Sequence, residues 1–354
     1  MVRDEKCVDD WYVPDGRRMT HQVIDWNLAQ SVGTRLAPKG PVLDRANTYA
    51  TVAMLRDLAQ QAVGLVAEVT DLQVPSGPAA VVVDRPRWIQ ANVAGLRDGV
   101  GPLLTQSSVF PAVGSRAVAV QVGAALAWLS GRVLGQYEIF ASGQQTGQLL
   151  LVAPTIVNVE RQLDVPSRDF RLWVCLHEEA HRLQFAAAPW LTQFLLDQLR
   201  IFLDGSDEDV LSTVRRVAGA VRTHDGSWLE RMQSPDQRQA FATMTAVMSL
   251  LEGHADVVMD AVGPTVIASL PIIRQRFEAR RDHSVGLNAI IRRVLGMDLK
   301  LRQYREGAAF VRQVQQEVGV TGFNAVWADS ANLPTSAEIS DPAAWVRRVH
   351  LATV

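Results

Sequence analysis

Three residues within one short segment have the types and spacing to share a reaction centre: His177, Glu178 and His181, in SRDFRLWVCLHEEAHRLQF at 167–185. On an α-helix, residues four apart stand one turn above each other. Two imidazoles so placed can reach one tetrahedral cation, as in the H-E-x-x-H pattern of zinc-dependent hydrolysis. Glu178 is turned by about 100° from His177 on a 3.6-residue helix, too far round to share that line. It can instead reach a water on the metal and act as general base. The competing reading is that two helical histidines are ordinary satisfied core groups. A random chain of this length holds the pattern roughly once in a hundred. Here it falls on a segment of helical periodicity, with Phe170, Trp173, Val174, His177, His181, Gln184 and Phe185 on one face.

A zinc centre that does chemistry usually has three protein ligands and an open position. Ser234, Pro235, Asp236 and Gln237 read as N-cap, N1, N2 and N3 of a capping box, opening a helix that runs to the Gly263-Pro264 stop. On that helix Phe241, Thr245, Met248, Glu252, Ala255, Asp256 and Met259 share a face, so two carboxylates sit in a largely apolar stripe. A buried carboxylate requires a partner, and a cation is the simplest one. Glu252 is therefore the expected third ligand, with Asp256 behind it as acceptor for the outer N–H of a ligand histidine. His254 is the rival, but it lies about 200° from Glu252 on the helix. The plainer alternative pairs Glu252 and Asp256 with arginines, for which Arg292, Arg293 and Arg302 are available.

Further along, Lys300, Arg302 and Tyr304 form a polar cluster in which Tyr304 is the candidate oxyanion donor, against the reading of a solvated helix face. Arg274, Arg276, Arg280 and Arg281 could bind an acidic group, although an exposed helix end is the commoner meaning of such a run. Nine tryptophans, among them Trp88, Trp128, Trp173 and Trp190, read as core and interface residues rather than a cofactor box.

The elements that must position these groups are mostly helical. Ser167 is the expected N-cap of the motif helix, Asp169 favours its positive end, and Pro189 ends or restarts it. Earlier helices are expected to start near Leu43, over 46–72, and over 88–105 after Pro86. Apolar runs from Leu149 to Val159, interrupted by Pro154, form the best strand candidate, near 149–159. The expectation is one compact unit, described for convenience as a mainly helical region 1–160 and a helical metal-binding region 161–354.

The 354 residues, 48% hydrophobic and 20% charged, suit a soluble globular chain with a sizeable core. Lysine and arginine number 35 against 37 acidic residues, which leaves no excess of positive charge for a phosphate backbone or an anionic membrane. The stretch between Arg116 and Arg132 is shorter than the roughly 20 apolar residues a bilayer needs and contains Gln121 and Ser130, so it reads as a buried helix. Only Cys7 and Cys175 are present, and the N-terminus is too charged for a secretory signal; both point to a reducing, cytoplasmic setting.

With both helices in hand, the chain resembles the zincin-like metallopeptidase type 2 family, mostly actinobacterial proteins often labelled as associated with deazaflavin-coenzyme biosynthesis. The likeness covers most of the chain. It rests on DRPRWIQAN at 84–92, GQYEIF at 135–140, LLLVAPTIVNVERQL at 149–163, DFRLWVCLHEEAHRLQF at 169–185, LLEGHADVVMD at 250–260 and GMDLKLRQYREG at 296–307. The resemblance implies a mainly α, zincin-like fold with a small β component, in which the motif helix packs against a second, ligand-bearing helix. It implies a zinc-dependent, gluzincin-like hydrolase acting on peptides. His177, Glu178, His181, Glu252 and Asp256 all stand where the family pattern wants them. Two other classes of function compete: a catalytically silent zinc-containing binding or scaffold protein, and a hydrolase of a small non-peptide amide.

Overall fold

The structure is a computed structural model that describes residues 24–74, 80–104, 112–140, 147–204, 234–283 and 301–351. Helices dominate it, and one three-stranded sheet is inserted among them. The first helices start at acidic caps: Asp25 Oδ1 accepts from the Leu28 N–H ahead of α1 (Trp26–Leu36), and Asp44 Oδ1 from the Asn47 N–H ahead of α2 (Arg45–Thr70). α2 stops at Asp71, whose φ of 54° is left-handed.

The sheet has the order β1-β3-β2, with β1 (Val81–Val83) parallel and β2 (Gly135–Glu138) antiparallel to the central β3 (Gln148–Val152). Alternation along β3 divides the protein. Leu149 and Leu151 enter one core with α2 and the motif helix, while Leu150 and Val152 enter another with α1, α3 (Arg85–Gly95) and α4 (Ala112–Ser130). A strand buried on both faces shows no polar positions, which is why 149–152 reads as an unbroken apolar run.

The expected strand over 149–159 is corrected in its second half. It ends at Val152, and Pro154 sits in the first turn of α5 (Ala153–Leu163), where its missing N–H is no loss. The short strands β1 and β2 were not anticipated. The expected helix over 88–105 begins earlier, at Arg85, because Asp84 caps it through the Arg87 N–H. Arg85 itself is buried, donating to Thr155 Oγ1 and to the carbonyls of Pro38 and Lys39. The apolar stretch between Arg116 and Arg132 is a core helix against α1, and no helix among the described residues is long and apolar enough to cross a membrane.

The motif lies on α6 (Ser167–Ala187), whose N-cap is Pro166 rather than the expected Ser167: Ser167 is the first helical residue, and no side chain caps this end. Asp169 is tied more specifically than by the helix dipole, accepting from the N–H and hydroxyl of Ser269 at 3.0 and 2.8 Å. The chain turns after Ala188 into α7 (Leu191–Asp204). The capping box opens α8 (Pro235–Val262) as expected, and Gly263 ends it with φ 72°. α9 (Leu270–His283) and α10 (Leu301–Phe323) follow. The arginine run is partly structural: Arg274 pairs with Asp260 at 2.7 Å and donates to the Asp256 carbonyl, and Arg276 donates to the carbonyls of Leu163 and Asp164. Arg292, Arg293 and Lys300, and the side chains of Arg280, Arg281, Arg302 and Tyr304, lie outside the described residues.

α8 and α10 cross in direct backbone contact. A Cβ on Gly253 would strike Gly307 and Ala308, and one on Gly307 would strike the Ser249 carbonyl. Gly253 adjoins Glu252, so this crossing sets where the carboxylate stands. Gly253→Ala or Gly307→Ala should each destabilise the fold by about 1–3 kcal/mol, read as a lower denaturant midpoint; unchanged midpoints would show that the helices can separate freely.

Candidate metal centre

Between Phe170 and Gln184, α6 is buried on every side except at His177 and His181. The single apolar stripe expected for this helix is therefore incomplete: the helix has no solvent face, and the line of the two histidines is where it opens. Its other charges are matched internally. Arg171 makes a bidentate pair with Glu160 at 2.8 and 2.7 Å, and Arg182 a bidentate pair with Glu179 at 2.8 and 2.6 Å.

At the opening, His181 Nε2 lies 3.3 Å from His177 Nε2, with the rings nearly perpendicular at 86°. Glu252 comes across from α8. One of its oxygens is 3.8 Å from His177 Nε2 and the other 3.9 Å from His181 Nε2. The three ligand atoms fall within 4.8 Å of one another, a cluster that could hold a metal ion. Ligands about 2.0–2.1 Å from one tetrahedral ion stand about 3.3–3.4 Å apart. The nitrogen pair fits that edge, and the carboxylate is a few tenths of an ångström wider. Two imidazoles and a carboxylate, partly accessible, are a donor set suited to zinc with one position left open.

Glu178 sits beside this cluster against β2. Its carboxyl packs on Gly135, where an added Cβ would come within 2.5 Å of Glu178 Cγ and 2.9 Å of Oε1. Burial, and then the charge of Glu252, push the Glu178 carboxyl up to about 8. On its other face β2 is fastened to α3: Gln136 Nε2 donates to Asn92 Oδ1 and Glu138 Oε2, and Glu138 Oε1 accepts from the Phe140 N–H.

His254 is not at the opening. It is buried against Phe323 and Trp327, with Nδ1 2.9 Å from Gln184 Nε2. Burial, and then His181, push its imidazole down to about 3. Gln184 had entered the reading of the sequence only as a face residue, yet its Oε1 is 3.0 Å from His181 Nδ1. Neither its contact nor that of Gly135 had a signal in spacing alone, because both depend on which elements meet. Asp256 is partly exposed, one turn beyond Glu252 on α8. Cys175 is free and buried, its thiol pushed up by burial; Cys7 is outside the described residues.

Two outcomes follow from Glu178's position. Gly135→Ala should displace the carboxyl and lower any Glu178-dependent activity at least about tenfold with little loss of metal affinity; wild-type turnover would show that Gly135 does not position it. In metal-free protein, the unfolded chain ionises Glu178 near its ordinary 4.5 while the folded chain resists until about 8. This group therefore removes stability as pH rises between those values. The stability of Glu178→Gln relative to wild type, from urea unfolding in chelator, should grow by a few kcal/mol from pH 5 to 8; a constant difference contradicts the shift.

A search among curated proteins returned no match. A crystal structure from Chloroflexus aurantiacus, described provisionally as a hydrolase with a novel fold, is similar over 92% of this chain and 98% of its own, at 30% identity and a TM-score of 0.68. A family profile covers residues 24–346. The chain belongs to the zincin-like metallopeptidase family.

Proposed function

We propose that the protein is a zinc-dependent hydrolase of amide bonds, acting on peptides, with His177, His181 and Glu252 holding the metal and Glu178 as general base. The observation that carries this reading is the meeting of two imidazoles and a carboxylate from a separate helix at the one opening of α6, with a second carboxylate fixed alongside. Bound there, zinc would lower the pKa of a coordinating water towards about 7 and polarise a substrate carbonyl. Glu178 accepts the water proton and passes it to the leaving amine. A cation beside it favours its ionised form, so the raised pKa of the metal-free state falls as the site fills. Asp256 is assigned the outer nitrogen of His177, since Gln184 faces that of His181.

Peptides are favoured over small amides by the family and by the sheet. β2 is an edge strand whose Gly135 adjoins Glu178, and among the described residues no strand pairs with its far side. An extended substrate backbone could align there. Tyr304 is retained as the oxyanion donor: it lies one turn before Gly307 on α10, the helix that meets Gly253 beside Glu252. The balance of charge makes nucleic acid and membranes poor partners, and a cytoplasmic setting is part of the same proposal.

Purified protein should bind one zinc per chain, and a peptide library should be cleaved before chelation, not after it, and again on zinc addition. Glu178→Gln should keep the metal and lose about 100-fold or more in turnover; undiminished cleavage refutes the general-base role. Tyr304→Phe should lower kcat with zinc content unchanged, and wild-type kinetics would remove it from the site. Zinc bound with no cleavage of any peptide or amide would favour a silent zinc-containing scaffold.

A further inference from the structure

Gln184 has no exposed surface, and its side-chain amide meets three groups. Nε2 is 2.9 Å from the Leu251 carbonyl oxygen and 2.9 Å from His254 Nδ1, and Oε1 is 3.0 Å from His181 Nδ1. Exchanging the amide nitrogen and oxygen would set an oxygen against the Leu251 carbonyl, which can only accept. That carbonyl therefore decides which end of the amide is NH2. The NH2 donates its second hydrogen to His254 Nδ1, so the hydrogen of that neutral ring is on Nε2. The amide oxygen accepts, so His181 must carry its hydrogen on Nδ1. This leaves the Nε2 lone pair of His181 directed at the space it shares with His177 Nε2 and Glu252.

We propose that Gln184 is a positioning residue: a buried amide, oriented by the Leu251 carbonyl, that locks His181 in the Nδ1–H tautomer and so presents Nε2 as a metal ligand. The ligand half of this proposal rests on the reading of the site as a metal centre. Leu251 immediately precedes Glu252, so one turn of α8 supplies both the carboxylate and the group that sets the imidazole opposite it. Any slip of α8 along α6 would disturb the two together. His254, the rival ligand of the sequence, is the far end of this chain of hydrogen bonds.

The test is made first on metal-free full-length protein. Long-range 1H–15N spectra of 15N-histidine-labelled protein report the tautomer of each of the seven histidines. His181 and His254 are assigned by the signals lost in His181→Asn and His254→Phe. His181 should show a protonated Nδ1 and a bare Nε2, and His254 the reverse. Zinc affinity is then measured by competition with a chromophoric chelator. Gln184→Met, of similar volume but without donors or acceptor oxygen, should move His181 towards Nε2–H and weaken zinc binding about 10–100-fold. Gln184→Glu keeps an acceptor oxygen for His181 and, with its buried carboxyl protonated, a hydroxyl that donates to the Leu251 carbonyl in place of the amide; it should recover the Nδ1–H tautomer and part of the affinity.

A wild-type spectrum with hydrogen on His181 Nε2 overturns the proposal, as does Gln184→Met binding zinc with unchanged affinity. If Gln184→Met fails to fold, the wild-type spectrum decides alone. A wild-type protein with the expected tautomers that binds no zinc overturns the metal reading and the ligand role, while the tautomer lock stands.

Discussion

Two carboxylates and two imidazoles meet where α6 and α8 cross, and the crossing supplies no arginine or lysine to Glu178 or Glu252 among the described residues. The other buried charges of α6 are neutralised: Glu179 by Arg182 on the same helix, and Arg171 by Glu160 of α5. Burying an uncompensated carboxylate is expensive, and the metal-free protein meets that expense by holding Glu178 towards its neutral form. A divalent cation would remove the conflict directly. The centre is thus a place where the fold is strained towards a ligand, while its surroundings are internally balanced.

The rest of the architecture holds the two sides of that crossing still. Asp169 ties the start of α6 to Ser269, just beyond the end of α8, and Arg274 joins α9 to the Asp256 carbonyl and Asp260. On the opposite side, α3 fixes β2 through Asn92, Gln136 and Glu138, so that Gly135 is held against Glu178. α10 presses on α8 through the Gly253 and Gly307 contact. Segments far apart in the chain therefore converge on a few ångströms, and each supplies a contact that a neighbouring element cannot.

Much of this was legible in the chain because helices report themselves through local pattern. The capping box at Ser234, the Gly263 stop and the His177 to His181 spacing are all short-range signals, and the placement of Glu252 follows from counting turns on one helix. The sheet was harder. Val81–Val83 and Gly135–Glu138 are too short to show a period, and β3 buries both faces, so its end at Val152 was hidden within an apolar run continuing into α5. Gln184 and Gly135 act through partners 67 and more than 40 positions away, which no local pattern encodes. Ser167 illustrates a smaller failure: a good capping residue stands next to a proline, and the proline takes the boundary.

The central claim is spatial, and anomalous scattering addresses it directly. Crystals grown with zinc and measured on both sides of the zinc absorption edge should show one strong peak bonded to His177 Nε2, His181 Nε2 and a Glu252 oxygen, with Glu178 close by but unbonded. A peak held by His254 instead, or no peak near the two imidazoles in zinc-replete crystals, would contradict the account.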